Sequence, residues 1–461
     1  MKITLVMPSI GRRPESPNDY VGSWQMEPLA LAVIGGLTPK HHELVIADDR
    51  MEPIPYDEPT DLVAINSETF TAKRAYQIAD AFRARGVTVV MGGFHPTLMP
   101  EEAAEHADSV LVGEAEMMWE QMLADFEAGN LQKMYRANGR ADLSKVMLDR
   151  SLFKGKGYLP IHLVESGRGC NYRCNFCSVT EFFQHQYVRR PIDMVIKEIE
   201  SLNTDLIFFV DDNIASDPKE AKEFFSALKP LNITWVSQAT IDSARDEELL
   251  DVLVDSGCLG LLIGFESLSD ANLAQMNKSV NKRRGGYEKP LQNLHDRAIK
   301  LYATFLLGYD GDDQAALKRT LDFALAQKFF LVAFNHLVPF PGTPLYDTFE
   351  KEGRMLYDKW WLSDEYQIGD VAFKPKQMSA EELVASCMNM RKEFYSWSNI
   401  FHRMDWGYNI SSIKSFFMYF QLNRMLQNEV GKKRGLPLGV DLSVEKSRTP
   451  ASKNERVALS S

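Results

Sequence analysis

Residues 162–177 read His162-Leu163-Val164-Glu165-Ser166-Gly167-Arg168-Gly169-Cys170-Asn171-Tyr172-Arg173-Cys174-Asn175-Phe176-Cys177. A short apolar run, His162–Glu165, reads as a strand and leads into three cysteines spaced C-x3-C-x2-C. Three thiolates so close on one loop can each bind a different iron of one cubane [4Fe–4S] cluster, leaving the fourth iron open to another ligand. Two cysteines would suit a disulfide, and four would close a tetrahedral zinc site. Zinc here needs a fourth ligand, for which His185 is the nearest candidate. Of the five cysteines, the other two, Cys258 and Cys387, read as small buried hydrophobes.

Working outward from the loop, the strand pattern recurs. Short apolar runs at Leu206–Val210, Trp235–Gln238, Gly260–Phe265, Ala303–Gly308 and Phe330–Leu337 follow His162–Glu165. Helical periodicity lies between them, as in Met194–Leu202 and Asp246–Asp255. Six βα units predict an open, partial (β/α)6 barrel with its active site at the C-terminal strand ends. The cysteine loop follows the first of these strands, as that rule demands.

Upstream, residues 1–150 predict a Rossmann-like, doubly wound α/β unit. The runs Ile3–Met7, Leu44–Ala47, Leu62–Asn66, Val87–Met91 and Ser109–Val112 are short and β-branched, and Ala72–Arg85 is an amphipathic helix ended by Gly86. Such sheets bind ligands at the carboxyl ends of their strands. There stand Ser67-Glu68-Thr69-Phe70-Thr71, Gly92-Gly93-Phe94-His95-Pro96-Thr97 and Gly113-Glu114-Ala115-Glu116. Paired glycines admit a ligand close to the backbone, and hydroxyls with free amides suit a phosphate or a nucleotide-like tail.

Asp142–Gly157 reads as a polar linker, so the barrel is expected over 151–345. After Pro339-Phe340-Pro341-Gly342-Thr343-Pro344 the chain turns helical and aromatic, predicting a helical cap over 346–440. Its Trp360, Trp361, Phe394, Tyr395, Trp397, Phe401, Phe416, Phe417, Tyr419 and Phe420 read as a helix-packing core or as a lid over an apolar substrate. Ser415–Leu426 with Lys432, Lys433 and Arg434 also resembles a membrane-facing amphipathic helix, a reading of weak peripheral membrane contact. Residues 441–461 are polar without apolar period and are expected to be disordered.

Apolar content of 45% and charged content of 25% in 461 residues are ordinary for a globular protein. The net charge of −11 argues against general nucleic-acid binding. No apolar run reaches the roughly 18 residues of a membrane span. Met1–Pro8 reads as a buried first strand rather than a signal peptide, and the cysteine usage fits a reducing cytoplasm.

The C-x3-C-x2-C loop resembles that of the radical S-adenosylmethionine (SAM) superfamily. The N-terminal region is similar to the cobalamin-binding domain of B12-dependent radical SAM enzymes. It matches at Gln25–Leu31, Asp61–Ser67, Gly92–Thr97 and Gly113–Glu116, and further matches follow at Gly264–Ser267, Phe305–Asp310 and Pro341–Tyr346. The likeness covers residues 1 to about 435. It looks nearest to the branch of hopanoid C-methylases, bacteriochlorophyll side-chain methylases and the anaerobic Mg-protoporphyrin cyclase. The resemblance implies cofactors: a [4Fe–4S] cluster on Cys170, Cys174 and Cys177, SAM on its open iron, and cobalamin. No D-x-H-x-x-G run is present, so no histidine of that motif reaches cobalt, and His95 reads as structural or as lying near the ligand's edge.

The resemblance also implies roles. Phe176 falls where the family places an aromatic beside the adenine of SAM. Asp211 or Asp212, after the second barrel strand, fits the SAM amino group, with a helix N-cap as the competing role. Gln238 fits the methionyl carboxylate, and Glu266 and Ser267 fit the ribose. Asp310 faces the same cavity by topology. Ser67, Thr69, Gly92, Gly93 and Glu114 are the candidates for cobalamin. The implied activity is C-methylation of an unactivated carbon in an apolar terpenoid, lipid or tetrapyrrole, fed by a reductase or flavodoxin-type electron donor. In that scheme one SAM methylates cobalamin, and a second yields the 5′-deoxyadenosyl radical that abstracts hydrogen. The alternatives are cyclisation or rearrangement without methyl transfer, a radical SAM enzyme that has lost cobalamin, and a cluster protein for electron transfer or sensing.

Overall fold

Val63 and Ile65 alternate with Leu62 and Ala64 along one short run, and all four are buried. A strand apolar on both faces belongs inside a parallel sheet with helices on either side. That is its place in the computed structural model, which describes residues 1–16, 25–278, 281 and 285–442. Strands β1 (Lys2–Met7), β2 (Glu43–Asp48), β3 (Leu62–Asn66), β4 (Thr88–Gly92), β5 (Ser109–Val112) and β6 (Met134–Arg136) form one parallel sheet in the order β2-β1-β3-β4-β5-β6. The three residues of β6 are too few to show a period, and the sequence reading missed them.

The expected helix over Ala72–Arg85 spans Ala72–Arg83 and buries Ala75, Ile78, Ala79 and Phe82 against Val63, Ile65 and Met91. On the other face, the helix Leu29–Leu37 and Trp119 cover Leu5, Leu62, Ala64, Val90 and Leu111. Each large apolar side chain so buried contributes about 1.5–3 kcal/mol. The connection from β1 runs to β2 on one side and the chain returns to β3 on the other, which makes a switch point between β1 and β3.

A second parallel sheet holds β7 (His162–Val164), β10 (Leu206–Phe209), β11 (Thr234–Ala239), β12 (Cys258–Glu266), β13 (Lys300–Leu307) and β14 (Leu331–His336) in sequence order. Its edges, β7 and β14, do not pair with each other, so the barrel is open. All six predicted strands are present. Trp235, Ile263, Phe265 and Phe305 pack outward among the helices. With a period of two, Val236, Gln238, Leu262 and Leu306 face the opposite side. Between β7 and β10 lies an antiparallel pair absent from the sequence reading, β8 (Gly167–Gly169) with β9 (Tyr187–Arg189), which brackets the cysteine loop.

The C-terminal region carries the helices Pro344–Lys351, Ala380–Phe394, Trp397–His402 and Ile413–Glu429. Between the first two of these helices the chain forms turns and a bridge from Met355 to Phe373. Trp360, Trp361 and Tyr366 sink into the first sheet's core, while Phe394, Tyr395 and Tyr419 join the second. Among the described residues, no helix is long and apolar enough to cross a membrane. The expected disorder over 441–461 falls almost wholly outside the described residues.

Candidate functional site

Asn175, inside the cysteine motif, is bound on every side. Its N–H donates to Met276 O at 3.1 Å, its Nδ2 to Gln275 O at 2.8 Å, and Tyr309 Oη donates to its Oδ1 at 3.1 Å. Asn277 Nδ2 donates to Arg173 O at 2.7 Å. The partners follow β12 and β13, so the loop is tied to the C-terminal strand ends. Gly169 enters the loop at φ +91°, and a Cβ there would stand 2.0 Å from Gln186 O, which leaves glycine as the fitting residue.

Cys174 is buried, and Cys170 and Cys177 are half-buried. Burial pushes all three thiols above their ordinary value, Cys174 to about 12. Backbone N–H groups pull the other way, from Tyr172 at Cys170 and from Val179 and Thr180 at Cys177. Buried thiols of this kind stay protonated unless metal ions draw the protons off. Two sulfurs on one zinc ion lie about 3.8 Å apart. Among the described residues, the three sulfurs and His185 are not gathered within 4.8 Å of one another as a single-ion set would be.

Lys278 joins this group and was missed in the sequence. Its Nζ pairs with Glu266 Oε1 at 2.5 Å, and its charge acts on all three cysteines. Glu266 holds φ +60°, a left-handed conformation costly for a side chain this long. The two residues are twelve apart across a helix and a turn, a separation with no local signal.

The remaining predicted residues divide. Asp212 accepts from Gly169 N–H at 2.8 Å, and burial raises its carboxyl to about 6, next to Cys170 and Cys177. Asp211 instead takes Ser166 N–H, Ser166 Oγ and Tyr187 Oη, with burial raising it to about 7. Neither caps a helix; Asp217 does that for Pro218–Leu228. Ser267 Oγ accepts from Ser269 N–H and Asn272 Nδ2, which ties it into its own loop. Asp310 does not face the cavity as topology predicted, because Arg354, Lys376 and Gln275 hold its carboxylate. Gln238 lies near the end of β11, on the face opposite Trp235.

Phe176 and Cys177 line a cavity of about 620 Å³. Leu306, Leu337, Val338, Phe340, Val384 and Met388 make its wall largely apolar, with Arg391 as a cation. None of the ten C-terminal aromatics proposed as a lid lines it. The helix Ala380–Phe394 contributes smaller side chains instead, Cys387 among them.

In the first sheet, a slot of about 260 Å³ opens between the helix Leu29–Leu37 and Leu5, Ala64, Val90 and Leu111, spanning the switch point. Gly92, Gly93 and Glu114 stand among its lining residues. Gly93 has φ +102°, and a Cβ there would lie 2.8 Å from Ser67 O. Ser67 and Thr69 turn inward and do not line the slot: Ser67 Oγ donates to Glu68 O, and Thr69 Oγ1 meets His95 Nδ1 at 3.4 Å. His95 is fully buried, with Nε2 at 3.1 Å from both Tyr76 Oη and Glu102 Oε1. Enclosed by these partners, it does not line the slot.

Slot and cysteine loop share one buried ion network. Arg168, two residues before Cys170, reaches Glu114 at 3.2 Å, Glu116 at 2.6 Å and Glu165 at 2.6 Å. Arg140 binds Glu114 at 2.7 Å and Gln186 O at 2.6 Å. Burial alone would raise Glu114, but the bonds from Arg140 and Ala141 N–H with the charge of Arg168 hold it below its ordinary value.

Residues 164–324 match the family model described as the radical SAM superfamily. The chain is 30% identical over 410 residues to bacteriochlorophyllide d C-12(1)-methyltransferase of Chlorobaculum tepidum, covering 86% of this chain and 88% of that protein. It is 28% identical over 397 residues to that organism's bacteriochlorophyllide d C-8(2)-methyltransferase, covering 81% and 87%. Among solved structures, the radical S-adenosylmethionine methyltransferase TsrM from Kitasatospora setae, with cobalamin and a [4Fe–4S] cluster bound, gives a TM-score of 0.62 at 17% identity. That match covers 76% of this chain and 75% of that chain, a likeness of fold.

Proposed function

The chain belongs to the radical SAM superfamily, and on that premise we propose that it is a cobalamin-dependent C-methyltransferase acting on a largely apolar substrate. The observation that supports the reading is the 620 Å³ apolar cavity that Cys177 and Phe176 line, since a substrate held there would lie beside the proposed cluster ligands. When bound, the cluster with SAM supplies the hydrogen-abstracting radical, and cobalamin supplies the methyl group.

The chain's own residues bind, orient and exclude water. Cys170, Cys174 and Cys177 hold the cluster, and Lys278 offsets the negative charge of their thiolates. Asp212, which accepts from the Gly169 N–H, is the carboxylate that would hold the amino group of SAM. Gly92 and Gly93, which line the slot, would let a bound cobalamin approach the backbone closely. His95, held by three buried partners, would not be among the residues that hold cobalamin. The relatives' names make bacteriochlorophyllide-like tetrapyrroles the first substrates to try.

The test uses protein reconstituted without oxygen with iron, sulfide and hydroxocobalamin, then given SAM and a reductant. The expected result is about four irons and one cobalt per chain, with 5′-deoxyadenosine and S-adenosylhomocysteine both formed. Cys174→Ala should abolish 5′-deoxyadenosine. Intact SAM at full iron loading would refute the radical reading. Four irons without cobalt would remove cobalamin, and 5′-deoxyadenosine without S-adenosylhomocysteine would favour cyclisation or rearrangement.

A further inference from the structure

Ile413, Phe416, Phe417, Phe420 and Arg424 fall at i, i+3, i+4, i+7 and i+11 of the helix Ile413–Glu429 and share one face. The opposite face carries Ser415, Tyr419 and Asn423, all buried. Phe416, Phe420, Leu422 and Leu426 are half-buried against the second sheet's core, so the helix leaves outside Ile413 and Phe417 beside Lys414, Gln421 and Arg424. Ile413 is 75% exposed and Phe417 65%. Ring contacts extend the patch beyond the helix: Phe420 to Phe401 at 5.6 Å, Phe401 to Trp397 at 6.1 Å, and Phe416 to Trp406 at 6.3 Å. Trp406 is 70% exposed. Trp397, Phe401, Trp406, Ile413 and Phe417 are exposed, and Phe416 and Phe420, half-buried against the core, link them into an aromatic surface of the kind that marks an interaction site.

Charge selects the partner. From 406 to 428 the chain contains Lys414 and Arg424 and no acidic residue, and Lys432, Lys433 and Arg434 follow the helix. Asp405 is paired with Lys328 at 2.7 Å and Glu429 with Lys432 at 3.2 Å, so Lys432 is engaged by Glu429 and the cations offered by this face are Lys414, Arg424, Lys433 and Arg434. The whole chain is acidic, with a net charge of −11. We propose that this aromatic, cationic face docks on an anionic lipid bilayer, its rings entering at headgroup depth and its lysines and arginines meeting lipid phosphates. The helix leads into Gly431, Lys433 and Arg434, which line the cavity beside Cys177. The docking itself does not depend on the reaction proposed above.

The experiment is co-sedimentation of the full chain with vesicles of phosphatidylcholine, with and without phosphatidylglycerol, at low and high salt. Binding is expected to the anionic vesicles, weakened by salt. Trp406→Ser with Phe417→Ser should reduce it by about tenfold or more, and Lys414→Glu with Arg424→Glu should remove its preference for anionic lipid. Both changes lie in exposed side chains, and unaltered circular dichroism and iron content would show the fold intact. No sedimentation with anionic vesicles, equal binding by the serine variant, or a concentration-dependent dimer abolished by that variant without vesicle binding would each overturn the proposal.

Discussion

Replacing Arg168 by methionine should uncouple the first sheet from the cysteine loop. The guanidinium bonds three carboxylates, those of Glu114, Glu116 and Glu165. Methionine roughly keeps the apolar stem and removes every donor. Glu114 would retain Arg140 and the Ala141 N–H. Glu116, whose side chain is 9% exposed, would be left buried beside Glu114 without its cation. Stranding a buried charge costs about 3–5 kcal/mol. At about 2–4 °C per kcal/mol for a unit of this size, the melting temperature should fall on the order of 10 °C. Adding Glu116→Gln removes the stranded charge and should restore more than half of the loss. The assay is thermal unfolding of the apo-protein with hydrogen exchange on peptides spanning 113–116 and 167–189. Faster exchange is expected in both at once, with lower iron retention after reconstitution. Arg168→Met melting within about 1 °C of the parent, or exchange changing in only one of the two segments, would refute the network as the coupling element.

Other expectations follow the same physics. Asp211 keeps its proton up to about 7 in the folded chain against an ordinary value of 3.8. The folded state therefore binds more protons across that window, and stability should fall as pH rises from about 4 to 7. Asp211→Asn should flatten that slope in pH-dependent melting and melt no lower than the parent at pH 8. Gly169→Ala forces a Cβ against Gln186 O at φ +91°, so about 1–3 kcal/mol of stability should be lost and iron loading should drop; full loading would show that the turn has room. Lys278→Met leaves Glu266 buried and unpaired, at a cost of about 3 kcal/mol or more. It also removes the cation beside the thiols, so denaturation midpoint and iron per chain should both fall, with Lys278→Arg recovering part of each.

Both sheets were legible because parallel strands buried on two faces write short apolar runs that need no tertiary information. β6 and the β8–β9 pair were not: three residues show no period, and Gly167-Arg168-Gly169 has no strand propensity, becoming a strand only because Tyr187–Arg189 returns beside it. The cysteine triplet was legible by spacing alone, since its chemistry requires neighbouring thiolates. Asp211 and Asp212 are adjacent and alike in sequence. Alternation along the chain sends one toward Ser166 and Tyr187 and the other toward the cysteines, and only the folded neighbours tell which. Asp310 sits at a strand end like Asp212, but Arg354 and Lys376, far along the chain, hold it away from the cavity.

By itself, the sequence determined the strand series, the cysteine loop after the first barrel strand and the glycine pair at the end of β4, because each is written in residues a few positions apart. The tertiary structure alone decided that Lys278 joins the cysteines, that Arg168 and Arg140 weld the loop to the first sheet, that His95 is sealed in the core, and that Trp406, Ile413 and Phe417 stay outside. Those outcomes depend on charges and rings brought together from tens to hundreds of residues away, where burial makes each partner's absence costly, and no local pattern records which partners will meet.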